Sequence, residues 1–170
     1  MDGPPFITNV QVDWTRVPDR KAYPFSLAAV KGLGKFVPHK RVTYFVGENG
    51  SGKSTLLEGI ATAWGLNPEG GTRNFNFATR TSHSELGDFL KVGKSAIRPA
   101  DAYFLRAESF YNVATEIERL DREGGGRPII DSYGGRCLHD QTHGESFLAL
   151  FLHRLHGRGL YIFDEPEAAL

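Results

Sequence analysis

Cysteine is nearly absent from this chain: Cys137 is the only one in 170 residues, so no internal disulfide can form. That scarcity suits a reducing compartment, and a cytoplasmic location is the expectation. A lone thiol beside Leu138 reads as a small buried hydrophobe rather than a nucleophile. Net charge is lacking as well. Lys and Arg number 20, as do Asp and Glu, so no overall field draws the chain to nucleic acid or anionic lipid. A local basic cluster (Lys31, Lys35, His39, Lys40, Arg41) reads as a solvated face. No apolar run approaches the roughly 20 residues of a membrane span. The start, Met1-Asp2-Gly3-Pro4-Pro5, has neither the basic nor the apolar region of a leader. His139 and His143 belong to no cluster of zinc-ligand spacing.

Glycine, by contrast, is plentiful, and one cluster of it carries chemistry. Residues 47–54 read Gly-Glu-Asn-Gly-Ser-Gly-Lys-Ser, a full match to the P-loop pattern G-x-x-x-x-G-K-[ST]. The apolar run Val42-Thr43-Tyr44-Phe45-Val46 precedes it, and helix-like Thr55–Ala61 follows. A strand ending in a glycine loop that opens a helix aims several backbone N–H groups at one point, which suits a di- or triphosphate. Gly47, Glu48, Asn49, Gly50, Ser51, Gly52, Lys53, Ser54 and Thr55 are the expected nucleotide-binding residues. Among them Lys53 neutralises the β/γ-phosphates and the Ser54 hydroxyl binds Mg²⁺.

Hydrophobic periodicity sets the surrounding elements. Residues 6–12 alternate as an opening strand, and residues 25–37, broken by prolines on either side, read as short strands and turns. The run 42–46 is apolar almost throughout, the pattern of a strand covered on both faces in a parallel sheet. A helix over 53–64 carries Leu56, Leu57, Ile60, Ala61 and Trp64 on one stripe, and residues 65–82 read as a glycine-rich loop. A strand follows at 102–106 and a helix at 109–121. A second helix at 144–155 buries Phe147, Leu148, Phe151, Leu152 and Leu155, and a last strand at 160–163 runs straight into Asp164-Glu165-Pro166. The expected architecture is α/β, a P-loop NTPase with a mostly parallel central sheet flanked by helices and an antiparallel N-terminal β portion. The whole of 1–170 reads as one domain.

An acid at the carboxyl end of a buried strand adjoins the P-loop in this fold class. Asp164 there can hold Mg²⁺ through water, and Glu165 can polarise an attacking water. Upstream lies Thr142-His143-Gly144-Glu145-Ser146. With these three elements the chain resembles the ABC-type ATPases, including their SMC/Rad50/RecF-like branch. In more detail, its combination of G-E-N-G-S-G-K-S-T-L, F-L-R-A-E-S-F, T-H-G-E-S and D-E-P-E-A-A-L is similar to small stand-alone bacterial ATPases of this type. The resemblance implies ATP and Mg²⁺ as cofactors and a homodimer closed around ATP. It makes Thr142, His143, Gly144 and Glu145 a signature loop serving the partner's nucleotide. A polar N-cap for the following helix is the alternative for the same residues.

Two departures accompany the resemblance. The family's glutamine between P-loop and signature is missing, since the chain holds only Gln11 and Gln141. Glu108 occupies that slot, either as a further metal or water ligand or, with Ser109, as a helix cap. The family also continues past the acidic strand into a D-loop and a switch histidine. The chain stops at Leu170, and a C-terminal truncation is the expectation. For the coupled process, a soluble DNA-related ATPase is favoured over a transporter subunit, with nucleic acid as a conceivable partner. A P-loop kinase using Arg73, Arg80 or Arg127, or a non-hydrolysing ATP-gated module, are the other readings. Tyr23, Phe25 and Phe36 are candidates to stack on adenine.

Overall fold

A computed structural model describes residues 4–73, 83–155 and 157–169. The chain forms two compact units, the first built from residues 1–68 and 82–99, the second from 69–81 and 100–170. Within the described residues no helix is long and apolar enough to cross a membrane.

In the first unit, β1 (Ile7–Val12) is the middle strand of an antiparallel sheet between β2 (Lys35–Phe36) and β3 (Leu90–Lys94). An irregularity between Ile7 and Asn9 shifts the register, so Ile7, Val10 and Val12 all face inward although their spacing is not strictly alternate. A short helix, α1 (Ala28–Lys31), precedes β2. Helix α2 (Lys53–Trp64) runs over the bounds expected from its stripe, burying Leu56, Ile60, Ala61 and Trp64 and leaving Leu57 half-buried. It packs on β3 and on the 3-10 turn Glu85–Phe89. Gly59 permits that approach, because a Cβ there would lie 3.0 Å from the Leu86 side chain and 3.2 Å from Leu90. The Glu58 carboxylate, buried in the same seam, accepts from the Ser84 amide at 2.8 Å. β3 and its turn are not predicted by the sequence pattern: Leu90 and Val92 alternate, but Gly93 interrupts it.

The expected strand at 42–46 does not form. The segment pairs with no strand, and Val42, Tyr44 and Val46 are 56%, 84% and 93% exposed. Apolar composition marks a segment that can be buried, whereas a strand also needs a neighbour to satisfy its N–H and C=O groups. β1, the central strand, has no pairing left to offer, and 42–46 joins neither the outer edge of β2 nor that of β3.

The second unit is built on two parallel strands, β4 (Asp101–Arg106) and β5 (Gly159–Asp164), paired residue for residue from Asp101↔Gly159 to Arg106↔Asp164. The parallel sheet of the described residues is thus two-stranded rather than a broad central one. The crossover between its strands carries α3 (Phe110–Glu123) and α4 (His143–Ala149). Tyr103, Leu105, Phe110, Val113, Ile117 and Phe147 form the centre of its core, with the Phe110 and Phe147 rings edge-on at 4.6 Å. Burying a side chain such as Phe147 stabilises the unit by about 2–3 kcal/mol. The Gly70-Gly71 stretch, expected as free loop, bridges to β4: the Gly71 amide donates to the Phe104 carbonyl at 2.8 Å, and the Phe104 amide donates back at 3.0 Å. Gly70 has φ +113°, and a Cβ there would sit 3.1 Å from the Phe104 carbonyl.

The helix expected over 144–155 changes type midway, continuing as a π-turn over Leu150–Arg154. The phase of its stripe therefore slips. Phe147 and Leu150 are fully buried, while Leu148 and Leu152, expected inside, are 51% and 65% exposed. The same turn brings Arg154 onto Asp101, with bonds of 2.6 and 3.0 Å, and places its guanidinium 5.5 Å above the Tyr103 ring. Burial by itself would raise the Asp101 pKa, but the Arg154 bonds outweigh it and hold the carboxyl below its ordinary value.

Because Asp101 is depressed in the folded state, its stabilising effect is present above the unfolded pKa and is lost as pH falls through the folded one. Arg154→Met should therefore lower the unfolding free energy by about 2 kcal/mol near neutral pH, measured by urea denaturation. The gap to the parent protein should close as pH falls below about 4.

Candidate functional site

The P-loop is assembled within the first unit. Its glycines do what side-chain-bearing residues would do only under strain: Gly50 has φ +77° and Gly52 φ +97°, both left-handed. Gly52 is also the N-cap of α2, and a Cβ on it would lie 3.0 Å from Leu27. No side chain caps this helix, so its first-turn amides have no capping acceptor from a side chain. The loop is tied down by the Ala29 amide donating to the Ser51 carbonyl at 3.1 Å. The Lys53 ammonium folds back over the loop and donates to the Gly47 and Glu48 carbonyls, each at 2.8 Å. Ser54 and Thr55 follow in the first turn of α2, and the Thr55 hydroxyl lies 3.4 Å from the Tyr23 hydroxyl.

The three aromatic candidates for the base separate clearly. Phe25 belongs to the core, edge-on to Phe89 at 5.0 Å. Phe36 packs on Phe45 at 5.3 Å. Tyr23 is 61% exposed beside the start of α2.

The acidic residues meet in the second unit. Parallel pairing carries the ends of β4 and β5 out side by side, so the residues after Arg106 and after Phe163 emerge together. Asp164 is buried on the last rung. Glu165 is exposed and holds φ +52°, the one non-glycine residue with positive φ among those described. Backbone strain of this kind concentrates at functional positions.

Glu108 lies in the 3-10 turn Ala107–Ser109 that leads into α3. It does not cap α3 with Ser109: the Ser109 hydroxyl donates to the Glu69 carbonyl, and Glu108 pairs with Arg106 at 2.7 Å. Arg106 also approaches Asp164, Nε to Oδ2, at 3.8 Å. The sequence motifs assign Arg106 no role. Its signal was available only as the residue just before the Ala107-Glu108 step, at the end of a predicted strand.

The carboxylates of Asp164 and Glu108 are hard oxygen donors of the kind that suit Mg²⁺, and a cationic side chain already sits between them. Among the described residues no group of three His, Cys, Asp or Glu side chains forms a metal site.

The stretch Thr142–Glu145 is a complete capping box at the start of α4. The Thr142 hydroxyl accepts from the Glu145 amide at 3.3 Å, and the Thr142 amide donates to the Glu145 carboxylate at 2.8 Å. The backbone and side-chain bonds from Thr142 hold the Glu145 carboxyl below its ordinary pKa. His143 stacks on Tyr111 at 5.5 Å and lies 5.2 Å from Phe147, while His139 shares the Tyr111 ring from 5.5 Å. Gly144 lies in the first turn of α4.

Cys137 is half-buried and donates to Glu118 at 2.7 Å. That carboxylate first, and burial second, push its thiol pKa up, away from nucleophilic activation. Of the arginines considered for a mobile lid, Arg73 is exposed, Arg127 is exposed and pairs with Asp131, and Arg80 lies outside the described residues.

Glu165→Gly should relieve the left-handed strain and raise stability by about 0.5–1 kcal/mol. Chemical denaturation of the two proteins in parallel measures this. A loss of stability would mean that the Glu165 side chain contributes contacts outweighing the strain.

No solved structure matches the chain. It is 29% identical over 159 residues to a multidrug efflux ATP-binding/permease protein of Mycobacterium bovis (strain BCG / Pasteur 1173P2), covering 84% of this chain. A multidrug efflux ATP-binding/permease protein of Mycobacterium tuberculosis (strain ATCC 25618 / H37Rv) gives the same identity and coverage. The chain spans about 13% of the length of these relatives. The family model for the AAA domain matches residues 32–132, more than half of the chain and including the whole P-loop. With its glycine loop, Lys53 and α2 in place, the chain belongs to the AAA domain family of P-loop ATPases.

Proposed function

We propose that this chain is an ABC-type ATPase domain that binds ATP, hydrolyses it with Mg²⁺, and dimerises around it. The observation that carries the reading is the left-handed glycine loop opening the uncapped α2, with the Lys53 ammonium folded across it. That ammonium now satisfies itself on the Gly47 and Glu48 carbonyls, and phosphate oxygens are the stronger acceptors for it. Gly47 to Thr55 then cradle the phosphates, and Tyr23 offers its exposed ring to the base.

Ser54 and Asp164 are the Mg²⁺ ligands that the two motifs supply, with Glu108 as a further one. The bound ion would offset charge on the phosphate oxygens. Glu165 is the residue to take a proton from the attacking water, held at the end of β5 by its strained backbone. Thr142, His143, Gly144 and Glu145 form the loop offered to the partner's nucleotide. In that role the capping box acts as a brace: it holds Thr142 and Glu145 to one another and leaves the His143 ring stacked on Tyr111.

The missing glutamine and the non-standard signature favour the SMC- and RecF-like branch, with a cytoplasmic, DNA-directed process. Similarity to the efflux ATP-binding/permease proteins favours a second reading, the ATP-binding part of a transporter. Hydrolysis stimulated by DNA and falling steeply with salt would select the first; the absence of any stimulation would select against it.

Lys53→Ala should weaken ATP binding about 10- to 100-fold, the worth of hydrogen bonds to a charged group, measured by titration calorimetry. Glu165→Gln should keep ATP affinity, lower turnover by about 10²–10⁴-fold, and accumulate an ATP-bound dimer on size exclusion. Turnover equal to that of the parent protein would remove Glu165 from its role.

A further inference from the structure

We infer that Arg106 is a built-in stand-in cation for the metal site: it neutralises Asp164 and Glu108 before metal arrives and competes with metal for them. The inference rests on Asp164 being a metal ligand, and it adds a residue to which neither the motifs nor the comparisons assign a role. Its basis is the last rung of the parallel ladder, where Arg106 and Asp164 are direct partners and their side chains share one face. Asp164 is a buried carboxylate, and burying an uncompensated charge is costly. A guanidinium, charged at every physiological pH, answers that need.

The geometry of the two contacts is unequal. Arg106 holds the exposed Glu108 tightly, at 2.7 Å, and the buried Asp164 loosely, at 3.8 Å. An arginine serving only to lock β4 to β5 would be expected to grip its buried partner, as Arg154 grips Asp101 with two bonds at the opposite end of the same ladder. Here the stronger grip is on the solvent-facing side. Arg106 can therefore leave Asp164 while keeping its contact with Glu108.

A divalent ion at Asp164 and a guanidinium 3.8 Å away repel one another, so one must yield. Arg106 thus sets how much metal is needed to occupy the site, and its withdrawal from Asp164 accompanies loading. It is a positioning residue, acting through Asp164 and not on the reacting atoms.

The test is Mn²⁺ binding by the full chain without nucleotide, followed by the electron paramagnetic resonance of free Mn²⁺ at constant ionic strength. Arg106→Gln should bind Mn²⁺ about tenfold more tightly, the effect of removing one neighbouring cation. Arg106→Lys, which keeps the charge, should stay within about twofold of the parent. Arg106→Gln should also melt at a lower temperature without metal and recover more than the parent does when Mn²⁺ is added. Should it fail to fold without metal, refolding by Mn²⁺ but not by K⁺ of equal ionic strength supports the inference, and no refolding overturns it. Equal or weaker Mn²⁺ affinity in Arg106→Gln also overturns it. Asp164→Asn separates the two readings. If it abolishes Mn²⁺ binding while Arg106→Gln changes nothing, only the role of Arg106 falls; if it binds Mn²⁺ normally, the metal assignment of Asp164 falls as well.

Discussion

Parallel strands end at the same side of a sheet, and in the second unit almost everything follows from that. Because β4 and β5 pair from Asp101↔Gly159 to Arg106↔Asp164, their carboxyl ends deliver Glu108 and Asp164-Glu165 to one place. No tight turn can join such strands, so the intervening chain must cross over. It does so through α3 and α4, whose buried faces meet the strands in the core around Tyr103, Phe110 and Phe147. The ladder thus produces both the acidic cluster and the core that supports it.

Each end of that ladder carries an ion pair, and the two pairs differ in kind. Asp101 and Arg154 make a two-bond contact over the Tyr103 ring, a geometry that holds β5, the π-turn and β4 together. Arg106 divides itself between a buried and an exposed carboxylate and commits fully to neither end of the chemistry. Rigidity is useful where the strands begin. At the other end, the two contacts of Arg106 differ by more than 1 Å in length.

The first unit solves a different problem, that of presenting backbone N–H groups without blocking them. Gly50 and Gly52 adopt left-handed backbone, and Gly52 caps α2 with no side chain at all. The helix is anchored from behind by Gly59 against Leu86 and Leu90, so its open end is held by packing rather than by a cap. Catalytic and binding candidates in both units therefore sit where regular structure stops: the start of α2, the end of β4, the end of β5 and the start of α4.

Local patterns in the sequence were sufficient for several of these elements. The stripe over 53–64 specified α2, the imperfect alternation over 6–12 specified β1, and the polar residues before α4 offered an N-cap, because each depends on neighbours within a few residues. The P-loop match, too, is a local pattern. Other features were decided by partners distant in the chain. Whether 42–46 became a strand depended on pairing with another strand, and whether Gly70-Gly71 was loose depended on the Phe104 backbone. The π-turn, within which Leu152 is 65% exposed, is not visible in the helix's own stripe. The sequence alone determined that this protein carries a P-loop motif opening a helix and an acidic strand end. Only the tertiary structure decided that Arg106, 58 positions before Asp164 in the chain, stands beside it, since hydrogen-bonded register joins residues that no local pattern relates.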